Sequence, residues 1–351
     1  MKLRVGIIGA TGIVGQRFIE LLENHPYFEI SALMASERSS GKKYKEAASW
    51  YLSSKIPDEI ADMVVLPVDV REAERNNVDI IFSAIPSSVA REIEGSFAKD
   101  FPVFSNTSTF RMDDDVPLII PEINPEHFKL IDIQRERRNW NGFIVTNPNC
   151  SVIGLVIPLK PIYDTIGILS VNVATMQALS GAGYSGVPSM AILDNMIPFI
   201  KGEEKKVENE PLKILGKLNN GKIEYAEFPI FASCNRIMLR DGHTEVVFVK
   251  TEEDFNEEEI KKILSEFRGE PQRMKLPTAP QKPIIVFEDE DRPQPIFDRM
   301  LGKGMTVSVG RIRKRNERLL RFTCLSHNTI RGAAGASILN AELAVKKGLI
   351  N

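Results

Sequence analysis

Before Cys150, apolar and polar positions follow two alternating periods. Lys2 to Ile8 is a short β-branched run, and Gly12 to Asn24 carries apolar residues at helical spacing. Phe28 to Met34 is a second apolar run, bounded by Pro26 and the polar segment Ser36–Gly41. Val78 to Ile85, Val103 to Ser105 and Phe143 to Thr146 are further short candidates for buried parallel strands. Strands alternating with helices predict βαβ units with right-handed crossovers.

After Cys150 the pattern changes. Ile168–Gln177, His243–Thr251 and Thr306–Arg313 are longer and alternate apolar with polar, which predicts an antiparallel or mixed sheet with one covered face. A polar helix is expected over Phe255–Phe267, ending before Gly269. Glu203–Asn220 is rich in Lys and Glu and is expected to be a solvated helix and loop. Gly332–Lys347 has helical composition, with Gly348 just past its end. The expected division is one domain over residues 1–149, joined by a C-terminal helix at about 329–351, and a second over 150–328. The chain shows no internal repeats and no low-complexity tract.

At 351 residues the length suits two domains, and 43% hydrophobic with 26% charged residues is ordinary for a soluble globular protein. A formal net charge of −2 gives no electrostatic reason to expect nucleic acid as a partner. No apolar run approaches the ~20 residues of a membrane span. The N-terminus enters a strand at once, so no secretory signal is expected. Three cysteines far apart, Cys150, Cys234 and Cys324, argue against a disulfide framework and a structural zinc site, and for a reducing compartment such as the cytoplasm.

Two local motifs carry chemistry. Gly9-Ala10-Thr11-Gly12-Ile13-Val14-Gly15 lies directly between the first strand and the first helix. There, glycines permit a tight turn and let backbone amides approach a pyrophosphate at the positive end of the helix. Together with the βαβ pattern this predicts an N-terminal Rossmann-type parallel-sheet domain, followed by an α+β domain with a mixed or antiparallel sheet. At the end of the second strand, Ser36, Arg38, Ser39 and Lys42 form a phosphate nest that favours NADP. Glu37 could instead accept from a ribose hydroxyl, so the residues leave NAD open.

Asn147-Pro148-Asn149-Cys150-Ser151 follows the strand ending at Thr146 and precedes the apolar segment Val152–Leu159. That placement puts the sulfur at a helix N-terminus, where the dipole favours thiolate; a buried structural cysteine is the alternative. Of four histidines, His25 and His127 lie near prolines and are given no role, and His327 is either structural or close to the cofactor. His243 opens a strongly β-patterned strand behind Asp241-Gly242. A Cys–His pair distant in sequence is the usual arrangement of an activated thiol.

The run Ser105-Asn106-Thr107-Ser108-Thr109-Phe110-Arg111, the Asn147–Ser151 motif, the Gln177–Gly183 segment and Asn328–Gly335 resemble aspartate-semialdehyde dehydrogenase, in the branch found in archaea and fungi. The resemblance spans essentially the whole chain. It implies Cys150 as nucleophile, His243 as general acid/base, and Gln177 and Asn149 as further catalytic residues. Arg236 would clamp the substrate α-carboxylate with its planar fork. Glu210 would meet the α-ammonium, and Lys213, Arg111 and Asn106 would complete the substrate and phosphate site. Ser83, Ser87, Ser180, Gly181 and Asn328 would line the cofactor. The implied assembly is a homodimer or homotetramer, with residues 1–149 binding NADP and 150–328 carrying catalysis and dimerisation.

The implied reaction passes through a thioester on Cys150, with inorganic phosphate as co-substrate and no metal. Malonyl-CoA reductase, whose archaeal form is similar, shares the thioester chemistry but needs no group for an α-ammonium or for phosphate. The Asn147-Pro148-Asn149 lead-in looks more like the semialdehyde enzyme. A non-enzymatic NADP-binding regulator is the remaining alternative, and would tolerate Cys150→Ala.

Overall fold

Two six-stranded sheets organise the computed structural model, which describes residues 2–350. The first is built from β1 (Leu3–Ile8), β2 (Phe28–Ala35), β3 (Leu66–Pro67), β4 (Ile80–Ser83), β5 (Pro102–Ser105) and β6 (Phe143–Thr146), in the order β3-β2-β1-β4-β5-β6. All its pairings are parallel. Val5, Ile7, Ile80, Phe82, Val103 and Phe104 are all buried, as expected where helices cover both faces.

Further along the chain come β7 (Ile168–Gln177), a small hairpin of β8 (Lys217–Asn219) and β9 (Lys222–Glu224), then β10 (Ile230–Arg236), β11 (His243–Thr251), β12 (Ile284–Val286), β13 (Val307–Asn316) and β14 (Leu319–Ser326). The second sheet runs β10-β7-β11-β14-β13-β12 and is mixed. β10 pairs parallel with β7 and β12 with β13, while β11 runs antiparallel to both its neighbours. Alternation along β11 buries His243, Glu245, Val247, Val249 and Thr251 on one face. The Cys150–Ile166 helix covers that face, and its own residues from Ser151 to Leu159 are buried.

The chain then returns to the first sheet. A π-helical turn, Ile330–Ala334, leads into the Gly335–Lys346 helix, whose Ile338, Leu339 and Leu343 share a core with Val5, Phe18 and Ile80. The termini of the described chain therefore close one hydrophobic core.

One expectation needs correction. The Lys/Glu-rich segment is not a solvated helix: Glu203–Ile214 buries Glu203, Val207, Glu210, Pro211, Lys213 and Ile214. Val207 and Ile214, seven positions apart on one helix face, pack into the core beneath the second sheet, and the surrounding charges mask them in the sequence. The chain also forms β10 and β14, for which the pattern gave no separate expectation. Among the described residues, no helix is long and apolar enough to cross a membrane.

Candidate active site

The nucleophile motif is held in place by polar contacts from three directions. Asn149 caps the Cys150–Ile166 helix, its Oδ1 accepting from the amides of Ser151 (2.9 Å) and Val152 (3.3 Å). Its Nδ2 donates to Glu203 Oε1 at 2.7 Å and its backbone N–H to Glu210 Oε2 at 2.7 Å. Asn147 Nδ2 donates to Ser337 Oγ (2.7 Å) and to Asn106 Oδ1 (2.9 Å), tying the motif to the C-terminal helix and to the loop after β5. On the far side Gly332 closes against the cysteine, since a Cβ there would stand 2.7 Å from Cys150 Cβ.

The second sheet supplies the partners. β7 and β10 end side by side, with Gln177 registered opposite Arg236, and β11 begins at the same edge with His243. This brings His243 Nε2 to 3.2 Å from Cys150 Sγ, across 93 positions of sequence. Arg236 Nη1 donates to Ala178 O at 2.5 Å. Cys150 is the one free cysteine that retains exposure; Cys234 and Cys324 are buried.

Burial sets the resting charge state. Although Cys150 opens to the crevice, the protein around its sulfur pushes the thiol up to about 12, and Glu203 adds to the effect against Arg111, Arg236 and Lys206. Burial pushes His243 down to about 3, with Arg236 adding to it. Burial thus opposes the helix N-terminus, which the sequence led one to expect would favour thiolate. Burial favours the neutral form of both members of the pair.

A crevice of about 680 Å³ runs along the carboxyl ends of the first sheet to this pair. It is lined by Gly12, Ile13 and Val14 at one end, by Ser87, Asn106, Ser180, Gly181 and Asn328 along its walls, and by Arg111, Asn149, Cys150 and Arg236 at the other. The glycine loop fits a dinucleotide phosphate. Gly9 has φ +82°, and a Cβ there would stand 2.6 Å from Ala84 O. A Cβ on Gly15 would stand 2.4 Å from Gly9 O, and no side chain caps the helix that starts at Ile13. Asn328 bridges the walls, donating from Nδ2 to Ser180 Oγ at 2.8 Å and accepting from the Gly242 N–H at 2.8 Å.

Several expected site residues do not line this crevice. Gln177 is buried with Nε2 donating to Thr175 Oγ1, and Ser83 is buried with its hydroxyl on Glu94. Gly9 and Thr11 belong to the glycine loop but are not among the lining residues, and Ser36, Arg38 and Ser39 sit in the turn that follows β2, outside the lining. Every side-chain polar atom of Glu210 and Lys213 already has a partner within the protein. Glu210 holds Asn149 and pairs with Arg111 Nη1 at 3.0 Å. Lys213 Nζ donates to the carbonyls of Arg111, Asp113 and Val116 at 2.7–2.9 Å.

In their place the crevice presents Glu203 and Lys206, which pair at 3.1 Å. Sequence reasoning passed over both. The available signal was spacing: 210 − 203 and 213 − 206 are each seven residues, two helical turns, so both pairs share one helix face.

A cysteine within reach of an imidazole, at the end of a crevice headed by a phosphate-binding loop, is the arrangement of a thiol-dependent, nucleotide-linked oxidoreductase. Comparison with known proteins narrows this class. Residues 4–131 match the family described as "Semialdehyde dehydrogenase, NAD binding domain", and residues 159–331 match "Semialdehyde dehydrogenase, dimerisation domain". The chain is 54% identical to the aspartate-semialdehyde dehydrogenase of Archaeoglobus fulgidus, with 100% of both chains covered. It is 45% identical to the malonyl CoA reductase (NADP) of Metallosphaera sedula, covering 99% of this chain and 98% of that one. The crystal structure of aspartate semialdehyde dehydrogenase with NADP from Candida albicans superposes with a TM-score of 0.90 at 41% identity, covering 100% of both. The chain belongs to the aspartate-semialdehyde dehydrogenase family.

Proposed function

We propose that this protein catalyses the reversible, NADP-dependent conversion of L-aspartyl 4-phosphate to L-aspartate 4-semialdehyde through a thioester on Cys150. The observation that carries the reading is the 3.2 Å Cys150–His243 contact, set in a crevice with Glu203, Lys206, Arg111 and Arg236 around it. Bound nicotinamide dinucleotide supplies or takes up the hydride. Cys150 forms the thioester, with His243 as the acid/base group in reach of its sulfur. Arg236 offers a fork for the α-carboxylate. Glu203, a buried carboxylate beside Arg236, suits the neighbouring α-ammonium, and Lys206 with Arg111 suits phosphate.

In this reading residues 1–149 with the C-terminal helix bind the cofactor, and 150–328 carry catalysis and dimerisation. The match to a dimerisation domain indicates an oligomer. Exposed Phe231, Met190 and Phe199 in the second domain support a homodimer or homotetramer.

The test is a direct assay of the purified protein. NADPH formation from aspartate semialdehyde plus phosphate is expected, with little NADPH oxidation on malonyl-CoA, whose acyl group brings no ammonium to Glu203. Activity with the CoA ester alone would overturn the proposed substrate.

A further inference from the structure

One step behind the Cys150–His243 contact, the same helix and the same strand meet again through polar groups. Cys150 opens its helix and His243 opens β11, and both elements lead away from that contact. Four helical residues advance about 6 Å and two strand residues about 6.6 Å, so Gly154 comes level with Glu245. The approach is close: a Cβ on Gly154 would stand 2.6 Å from Ser326 Oγ and 3.7 Å from Glu245 Oε1. Ser326 is registered opposite His243, and Cys324 opposite Glu245. Ser151, one turn before Gly154, shares its helix face.

Ser151 is fully buried, and Glu245 and Ser326 are each 1% exposed. Among the described residues, Glu245 Oε1 and both serine hydroxyls have no hydrogen-bond partner. Glu245 Oε2 accepts from the Cys324 thiol at 3.7 Å, a weak donor. An ionised carboxylate placed here would be a buried charge without a cation, which costs far more than a neutral acid. Glu203, the other charged group that acts on Glu245, pushes its carboxyl up in the same direction as burial and the thiol does little against them. A neutral acid in turn has an O–H that needs an acceptor. One water accepts from one polar group and donates to two others, which satisfies the acid and both hydroxyls together.

We propose that Glu245 acts as a neutral carboxylic acid that holds one internal water with the Ser151 and Ser326 hydroxyls, and that this polar layer sets the spacing between the Cys150–Ile166 helix and β11 on which the Cys150–His243 contact depends. Glu245 is then a positioning residue, and His243 keeps the acid/base role on which this inference rests. Each member of the layer adjoins the pair. Ser151 follows Cys150, Ser326 stands across the ladder from His243, and Glu245 is the next inward-facing residue of β11. An apolar layer would fill the same volume, but packing alone tolerates several separations, whereas a satisfied hydrogen-bond network specifies one.

Infrared difference spectra between the full-length wild type and Glu245→Gln, recorded at neutral pH without substrate, test the protonation state. The carbonyl band of a protonated carboxylic acid is expected in the wild type and lost in the variant; its absence from the wild type would overturn the proposal. A crystal structure of the wild type is expected to show a water within hydrogen-bond distance of Glu245, Ser151 and Ser326. Direct carboxyl–hydroxyl bonds in its place would refute the site.

Positioning is tested by kinetics. The combined variant Ser151→Ala, Glu245→Leu, Ser326→Ala removes the polar layer and keeps its volume, so little stability is expected to be lost. Its kcat is expected to fall about 10- to 100-fold, as for a sub-ångström displacement of reacting groups, with KM for the semialdehyde held. Glu245→Gln keeps a donor and an acceptor without charge, and is expected to retain a kcat within about threefold of the wild type. A wild-type kcat in the apolar variant, or a Gln variant as impaired as the apolar one, would overturn the positioning role. Should the apolar variant not fold, the Gln variant and the infrared band still decide. Neither the spectrum nor the crystal structure involves substrate, so this proposal and the proposed reaction fail separately.

Discussion

The Glu210 carboxylate accepts a 2.7 Å hydrogen bond from the backbone N–H of Asn149, the residue before the nucleophile, while its other oxygen takes Arg111 Nη1 at 3.0 Å. Glu210 is thus a buried brace between the nucleophile turn and the loop that carries Arg111. Removing it strands a buried guanidinium and a buried amide. Glu210→Ala is expected to cost about 3–5 kcal/mol, read as a lowered urea midpoint at unchanged m-value. A variant of wild-type stability with only a raised KM would instead make Glu210 a substrate contact.

Glu203 should behave in the opposite way. Glu203→Gln keeps an oxygen for Asn149 Nδ2 but removes the charge that faces the crevice. With a charge-assisted hydrogen bond at about 1.5–3 kcal/mol, KM for the semialdehyde is expected to rise roughly 10- to 100-fold, with much less effect on melting temperature than Glu210→Ala. Because Glu203 helps push the Cys150 thiol up, alkylation of Cys150 by iodoacetamide should shift to lower pH in the variant. An unchanged KM would remove Glu203 from the substrate site.

The contrast between these two glutamates shows how far the sequence could be read. The parallel strands, the glycine turn and the helix-start cysteine rest on local rules, and they stand where periodicity and turn chemistry put them. His243 was legible because it opens a strand and no second histidine had comparable placement. The Glu203–Ile214 helix was not, because a helix face is decided by what packs on it. Two Glu/Lys pairs seven residues apart look equivalent until Asn149, Arg111 and three carbonyls claim one pair. The burial that pushes the Cys150 thiol up was also hidden, since a local dipole is visible in sequence and desolvation by distant residues is not.

Gly332 offers a test of how tightly the nucleophile is held. Its hypothetical Cβ lies 2.7 Å from Cys150 Cβ and 3.0 Å from Cys150 Cα, contacts that neither chain can absorb by turning a side chain. Gly332→Ala must therefore shift the start of the Cys150–Ile166 helix or the turn at Ile330–Ala334. A displacement approaching 1 Å lowers rate by about 100-fold where reacting atoms must align. The expected outcome is a fall of that order in kcat with cofactor affinity retained. Wild-type kcat would show that the two backbones separate freely.

Acid sensitivity follows from histidines buried in the neutral form. Burial pushes His127 down to about 4, His327 to about 4 and His243 to about 3. Each binds its proton near pH 6.5 when unfolded and only below about 4 when folded. Their stabilising contribution is therefore complete above pH 6.5 and is lost as pH falls toward 4. Buried Glu94 and Glu245, whose carboxyls are pushed up by burial, oppose this trend, so the clean measurement is a difference. His127, bonded to Asn124 and to Gly216 O and remote from the nucleophile, is the histidine to remove. Between pH 7 and 5 the wild type is expected to lose about 2 kcal/mol more than His127→Gln, from about 1.36 kcal/mol per pH unit for one proton. Parallel urea-denaturation curves at the two pH values would mean that His127 is protonated in the fold.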